Sequence, residues 1–215
     1  MTSRTEAPSF RARSGDQPYV ASDRSAVSLN GIKIAVQGLG NVGYGLCKLL
    51  KDAGAELVVA DVHDAAVEKA VQNLGATAVG VDEIYDQAVD VFAPCALGAI
   101  LNDDTISRLK VKIVAGSANN QLAEDRHACA LMDKGILYVP DYAINAGGII
   151  VISHEGGRFN RERAMSHVRG IYDTCQKIFI RATRERVTTA EVADKIAMER
   201  IEKVREEKAK LALAS

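Results

Sequence analysis

The sequence lacks a surplus of either charge: 27 lysines and arginines face 28 aspartates and glutamates, for a net charge of -1. That balance removes any global drive toward nucleic acid or an anionic membrane. It also lacks paired cysteine spacing. Cys47, Cys95, Cys129 and Cys175 form no CxxC or CxxH. Each lies in or beside an apolar stretch, so they read as small buried hydrophobes in a reducing, cytoplasmic protein. No run reaches the roughly 18 apolar residues needed to span a bilayer, and the N-terminus carries no apolar signal segment. No internal repeat is evident. His127 and His167 sit on helical stretches without ligand-spaced partners, so no metal site is expected.

What is present describes a soluble globular chain: 47% hydrophobic and 26% charged over 215 residues. That length holds one substantial core plus a helical extension. The most informative stretch runs from Ile32 to Asp61. An apolar strand through Ile32, Ala35 and Val36 enters Gly38-x-Gly40-x-x-Gly43. A helix follows from near Asn41, and a second strand, Leu57 to Ala60, ends on Asp61. Strand, glycine turn, helix, strand and acid in this order form the dinucleotide fingerprint in its required context. Gly38 is expected to make the turn, Gly40 to admit a pyrophosphate to the backbone, and Gly43 to let helix and strand pack closely. The helix N-terminus would offer free N–H groups to the phosphates. Asp61, near the expected spacing of ~20 residues, would accept hydrogen bonds from the adenosine ribose.

Residues 1–29 are rich in Ser, Arg, Asp, Pro and Ala and read as a loose arm or remnant of a linker. Residues 30–150 alternate short apolar runs with helical stretches, which predicts a Rossmann-type, doubly wound, mostly parallel α/β sheet. Its elements are a helix over 64–74, a short strand near Ala78 and Val79, strands over 90–93 and 111–115, a helix over 121–134 and a strand over 136–139. Residues 151–215 change to a 3.6-residue period and are expected to complete the domain with helices. One runs from about Asn160 to Arg184, with Val168, Ile171, Tyr172, Cys175, Phe179 and Ala182 on one stripe. The last starts at a capping box, Thr188-x-x-Glu191, and repeats Ala193, Ile196, Ala197, Ile201, Val204 and Leu211. Its charged end reads as a solvated face with i,i+4 pairs.

Ligands of an open α/β sheet bind beyond the carboxyl ends of its strands. Three loops fall there: Pro94–Gly98, Gly116–Gln121 and Pro140–Gly148. Small residues and side-chain amides are concentrated in them, a composition suited to a flat ring and a carboxamide. Glycine and asparagine also populate ordinary turns. No lysine or histidine lies in the three loops, and Asp141, their one ionisable residue, reads as a cap or turn residue as readily as a proton shuttle. His63 belongs to the adenosine end, and His154 beside Glu155 reads as a surface or helix-packing residue. No catalytic residue is therefore assigned.

Four motifs in order resemble the Glu/Leu/Phe/Val (amino-acid) dehydrogenase superfamily, in particular its leucine dehydrogenase branch. They are Gly38-Leu39-Gly40-Asn41-Val42-Gly43, Pro94-Cys95-Ala96-Leu97-Gly98, Ala115-Gly116-Ser117-Ala118-Asn119-Asn120-Gln121-Leu122, and Pro140 through Ile150. The resemblance implies NAD-dependent oxidative deamination of an apolar, branched-chain L-amino acid to its 2-oxo acid. It places Gly38, Gly40, Asn41, Val42 and Gly43 at the pyrophosphate turn and Asp61 at the adenosine ribose. Cys95, Ala96, Ala115, Asn119 and Asn145 go to the nicotinamide side, and Ala143 to a substrate side-chain pocket. The carboxylate of Asp61 favours NAD over NADP, because a 2'-phosphate would meet like charge.

The family opens with a substrate domain that carries catalytic lysines and an aspartate, whereas only Met1 to Leu29 precede the strand here. The family's acidic interdomain run is replaced by Ser153-His154-Glu155-Gly156. The chain is thus expected to be the coenzyme half of such an enzyme, inactive alone, its catalytic half either lost or supplied by a separate catalytic-domain chain. It is also expected to form a homo-oligomer, with no nucleic-acid or membrane partner. The alternative is a stand-alone NAD-binding regulatory or assembly module without catalysis.

Overall fold

The computed structural model describes residues 28–155 and 159–213. The arm expected over 1–29 lies almost entirely outside the described residues. Two compact units divide between Leu137 and Tyr138, earlier in the chain than the change of period at residue 151.

The first unit is built on parallel strands. β1 (Lys33–Gln37), β2 (Glu56–Ala60), β3 (Thr77–Ala78), β4 (Val91–Pro94), β5 (Ile113–Val114) and β6 (Leu137–Tyr138) form one sheet in the order β3-β2-β1-β4-β5-β6. β6 begins at the last residue of this unit, where the Leu137 N–H donates to the Lys112 carbonyl at 2.9 Å. β1 pairs in parallel with β2 and β4, Ala35 facing Val58 on one side and Phe92 on the other. Strand order reverses between β1 and β4, so their carboxyl ends open a crevice in the sheet. The sheet is doubly wound, as the alternating sequence pattern predicts.

Ile34, Ala35 and Val36 of β1 are all buried in succession, as a strand covered on both faces requires. α1 (Asn41–Asp52) packs with α2 (Asp64–Leu74), and α3 (Asp103–Arg108) with α4 (Arg126–Asp133); right-handed crossovers, the rule for parallel strands, place the two pairs on opposite faces of a sheet whose order reverses between them. The α1/α2 side closes over Ile34, Val36, Leu57 and Val59 together with Cys47 and Ala70. Burial, followed by the neighbouring Cys95 thiol, pushes the Cys47 thiol up to about 11.

Two sequence expectations change in this unit. The helix expected from Gln121 begins only at Arg126. Leu101 forms a bridge with Leu122 and takes the Gln121 carbonyl, which holds residues 121–123 extended. In addition, α3 went unread despite its own cap. The Asn102 side chain accepts from the Asp104 and Thr105 N–H groups at 3.1 Å, and Thr105 Oγ1 accepts from the Asn102 N–H.

The second unit is helical. The 140–148 stretch, read as a loop, is instead α5 (Asp141–Ile144) running on into α6 (Gly147–Ser153). Pro140 starts α5 because its carbonyl accepts from the Ala143 and Ile144 N–H groups. α7 (Arg161–Glu185) starts where the Asn160 side chain accepts from the Arg163 N–H, and ends on Arg186 in the left-handed region at φ 58°. α8 (Thr189–Leu213) is capped by the Thr188 hydroxyl, which accepts from the Glu191 N–H at 3.1 Å. The Glu191 side chain pairs with Lys195 at 2.8 Å, so only half of the expected capping box is made. Ile178, Ala182, Val192 and Ala193 form the core between α7 and α8, with Ala143, Phe179, Val187 and Ile196 against it.

Candidate coenzyme site

The glycine turn joins β1 to α1. Gly38 lies at φ 95°, and a Cβ there would come within 2.9 Å of the Ala96 backbone. A Cβ on Gly43 would lie 2.0 Å from the Gly38 carbonyl oxygen and 3.1 Å from Cys95 Cβ. Both glycines are thus required by packing inside the protein. Gly40 differs: nothing lies within 4 Å of where its Cβ would be. It is the N-cap of α1, it supplies no side-chain acceptor, and the first turn of α1 carries no acid. The open approach to Gly40 therefore meets the positive end of a helix whose first N–H groups have no intrahelical acceptor. Asn41 and Val42 are exposed there, Val42 by 62% although it is apolar.

Asp61 ends the second strand run and is half-buried. Its carboxylate accepts from the Leu39 N–H at 2.6 Å and from the His63 N–H at 2.9 Å. One side chain thereby ties the glycine turn to the end of β2, a link that spacing alone did not reveal. Each carboxylate oxygen has further lone pairs for a hydroxyl donor. His63 itself is exposed as the N-cap of α2.

The next two loops of this unit are locked to the first and to each other. Cys95, half-buried, donates its N–H to the Gln37 carbonyl at 2.7 Å, and exposed Ala96 follows against Gly38. A Cβ on Gly116 would meet the Pro94 carbonyl at 2.1 Å, and the Ala118 N–H donates to that same oxygen at 2.9 Å. Ala115 is half-buried beside them, while Asn119 is exposed on the loop crest. Among the sequence-derived candidates, Gly38, Gly40, Asn41, Val42, Gly43, Asp61, Cys95, Ala96, Ala115 and Asn119 all belong to these three neighbouring segments.

Asn145 belongs to the second unit, where it closes α5 with its N–H on the Asp141 carbonyl at 2.8 Å. Asp141 is buried, and its carboxylate accepts from the Tyr142 N–H at 2.6 Å. Ala143 packs on the Ile178 and Val192 core, so much of its side chain is committed inside this unit. The Tyr142 hydroxyl donates to Asp194 Oδ1 at 2.8 Å and so joins α5 to α8. Its phenol is pushed upward first by burial and then by that carboxylate.

A contact unforeseen in the sequence lies at the end of α6. His154 Nε2 and His167 Nδ1 are 3.2 Å apart with their rings near perpendicular. They are separated by 13 residues, and only the return of the chain through α7 unites them. Among the described residues no group of three His, Cys, Asp or Glu side chains could hold a metal ion.

The sequence profile of the Glutamate/Leucine/Phenylalanine/Valine dehydrogenase family matches residues 59–209. The chain belongs to that family. It is 54% identical over 178 residues to the leucine dehydrogenase of Thermoactinomyces intermedius, an alignment covering 83% of this chain and 49% of that protein. It is 46% identical over 197 residues to the L-tryptophan dehydrogenase of Nostoc punctiforme, with 91% of this chain and 56% of that protein covered. The crystal structure of L-tryptophan dehydrogenase from Nostoc punctiforme superposes with a TM-score of 0.80 at 47% identity, over 83% of this chain and 53% of that one. The chain thus spans about half the length of the family members it matches.

Proposed function

We propose that this chain is the coenzyme-binding part of an NAD-dependent dehydrogenase that oxidatively deaminates apolar, branched-chain L-amino acids, and that alone it binds NAD without turning over substrate. The observation that carries the reading is the contrast among three glycines. Gly38 and Gly43 are filled in by the protein, while Gly40 faces open space at the N-terminus of α1 beside an anchored carboxylate. A pyrophosphate fits that opening because it needs close backbone N–H donors and the positive end of a helix. Membership of an amino-acid dehydrogenase family and the relatedness to leucine dehydrogenases support the substrate class.

When bound, the nicotinamide group supplies the hydride acceptor. The chain's own residues bind and orient it. Gly38, Gly40, Asn41, Val42 and Gly43 would hold the phosphates, and Asp61 the adenosine ribose. Cys95, Ala96, Ala115 and Asn119 would face the nicotinamide side. Asn145 is assigned there on the resemblance alone. The negative Asp61 would disfavour a 2'-phosphate.

Fluorescence titration with NADH and NADPH tests the reading. NADH is expected to bind more tightly, and Gly40→Arg to remove most of that binding by filling the open approach. Failure of the wild-type chain to bind either coenzyme would sink the proposal. Equal or tighter NADPH binding would sink only the assignment of Asp61.

A further inference from the structure

Beneath these loops the polar side chain of Gln121 is wholly withdrawn from solvent. It is 0% exposed, and its Nε2 donates to the carbonyls of Gly116 at 3.0 Å and Ala118 at 2.9 Å. Its main chain is fixed separately, since the Gln121 carbonyl accepts from the Leu101 N–H at 2.9 Å. The side chain therefore folds back and staples the loop whose crest is Asn119. From the other side the loop is pressed by residues 98 and 99. The Ala99 N–H donates to the Asn120 carbonyl at 2.6 Å, and Ala99 and Asn120 both sit in the left-handed region, at φ 57° and 51°. A Cβ on Gly98 would lie 2.7 Å from the Asn119 carbonyl oxygen and 2.9 Å from that of Asn120. Asparagine adopts this region readily, but Ala99 holds it only because its surroundings over-determine it.

We infer that Gln121 is a positioning residue: by tying Gly116 and Ala118 it fixes the backbone on which Asn119 meets the nicotinamide end of the coenzyme. The inference rests on the coenzyme reading above and deepens it. Gln121 touches no coenzyme itself. Its buried donor sets where the exposed carboxamide two residues earlier can reach, while the pyrophosphate turn depends on β1, α1 and Asp61 and not on Gln121. Loss of Gln121 should therefore weaken recognition of the ring and leave recognition of the ADP-ribose portion in place. Leucine at 121 is close in volume but leaves two buried carbonyls without their donor.

The test is calorimetric titration of the full chain with NADH and with ADP-ribose, which lacks the nicotinamide ring, alongside thermal melts. Wild type is expected to bind NADH more tightly than ADP-ribose. Gln121→Leu should weaken NADH by about five- to tenfold, the effect of one hydrogen bond's worth of misplacement, and change ADP-ribose by less than about twofold. Gly98→Ala pushes the same loop from the exposed side without removing a buried group, so it should reproduce the selective loss even if Gln121→Leu fails to fold. Equal weakening of both ligands, or a lowered melting temperature with the NADH to ADP-ribose ratio unchanged, would overturn the positioning role and reduce Gln121 to a stabilising residue. Wild type binding ADP-ribose as tightly as NADH would overturn it too. Wild type binding neither would instead bring down the coenzyme reading itself.

Discussion

The two units of this chain spend their apolar residues differently. In the first, strands bury side chains on both faces and even the glycines are filled by neighbouring backbone, as at Gly38, Gly43 and Gly116. In the second, α7 and α8 share a small core, while Ile149 and Ile152 of α6 are 70% and 65% exposed and α6 buries none of its residues. Every side chain of α8 from Ala197 to Lys210 is exposed. The first unit closes its own core. The second presents apolar side chains that are exposed among the described residues, of the kind that marks association.

The largest expected effect tests how complete the first unit is. Its loops offer amides, backbone donors and packed glycines, but among the described residues they offer no lysine or histidine at the nicotinamide side. Oxidative deamination needs a base for an attacking water and a cation for the substrate carboxylate. Each positioned acid or base typically contributes on the order of 10²- to 10⁴-fold. The purified chain should therefore form no NADH from NAD with leucine, valine, phenylalanine or glutamate, and should regain turnover when a separate substrate-domain chain is supplied. Turnover by the mass-verified chain alone would break the comparison, especially if Asp141→Asn or His154→Ala abolished it.

Next in size is a packing change inside the first unit. Gly43→Val would drive a side chain into the Gly38 carbonyl and Cys95. Backbone cannot yield as a flexible side chain can, so a loss of about 3 kcal/mol or more is expected, with coenzyme binding lost as well. Melting in denaturant and NADH titration of this variant check both; unchanged stability would show that α1 can lift from β1 freely.

These two units were also unequally legible in the sequence. β1, α1, β2 and α2 were located within a residue or two, because the glycine turn, the strand lengths and the final acid constrain one another over a short span. Asp61 was recognised as the acid of the fingerprint, but its hydrogen bond to Leu39 depends on where the turn folds back and leaves no local trace. In the second unit, Asn145, Gly147 and Gly148 suggested a loop because these residues favour turns and glycine is a poor helix former. The hydrogen bonds that follow Pro140 and Ala146 override that local preference. The stripe expected on α7 has the right period but not all the right members: it omits Ile178, which is buried in the α7/α8 core with Phe179 packed against it, and includes Tyr172, which stays exposed.

That distinction sharpens the expected self-association. Met198, Ile201 and Val204 on α8 are 50%, 45% and 49% exposed, so they are better contact candidates than Phe179. Sedimentation equilibrium should show a dimer or larger species rather than a 23.0 kDa monomer. Ile201→Lys with Val204→Glu should weaken association by about tenfold or more with NADH affinity unchanged, since a charge replaces apolar contact at two positions. A wild-type monomer at all concentrations would leave the exposed apolar face without this explanation.

A charge change at the adenosine end should be felt more modestly. Asp61→Ser removes the like charge that a 2'-phosphate would meet and also the acceptor for the Leu39 N–H. NADPH affinity should rise relative to NADH by about tenfold, of the order of one close charge interaction in a largely solvated setting, while NADH itself weakens. A preserved NADH preference would mean that discrimination lies elsewhere in the turn.

The smallest effect concerns how the outer elements of the first unit are held. Arg108 of α3 reaches Asp82 at 2.9 Å and Asp86 at 2.7 Å, the N-cap and the last residue of the 3-10 helix Glu83–Asp86, and lies over the Tyr85 ring. Its hydrogen bonds hold the Asp82 and Asp86 carboxyls below the usual carboxylate range. A carboxyl depressed in the folded state stabilises the fold above its unfolded value, about 4, and that contribution disappears as pH falls through the lower folded value. Arg108→Met should therefore melt a few degrees below wild type at pH 7. The gap should narrow progressively from about pH 4 downward, as wild type loses what the variant never had. The carboxylates are largely solvated and screened, which keeps the effect small. A gap that stayed constant from pH 7 to about pH 2 would assign it to the contacts of Arg108 that do not titrate, its hydrogen bond to the Asp82 carbonyl and its place over Tyr85, and not to the ion pairs, which depend on the carboxyls being charged.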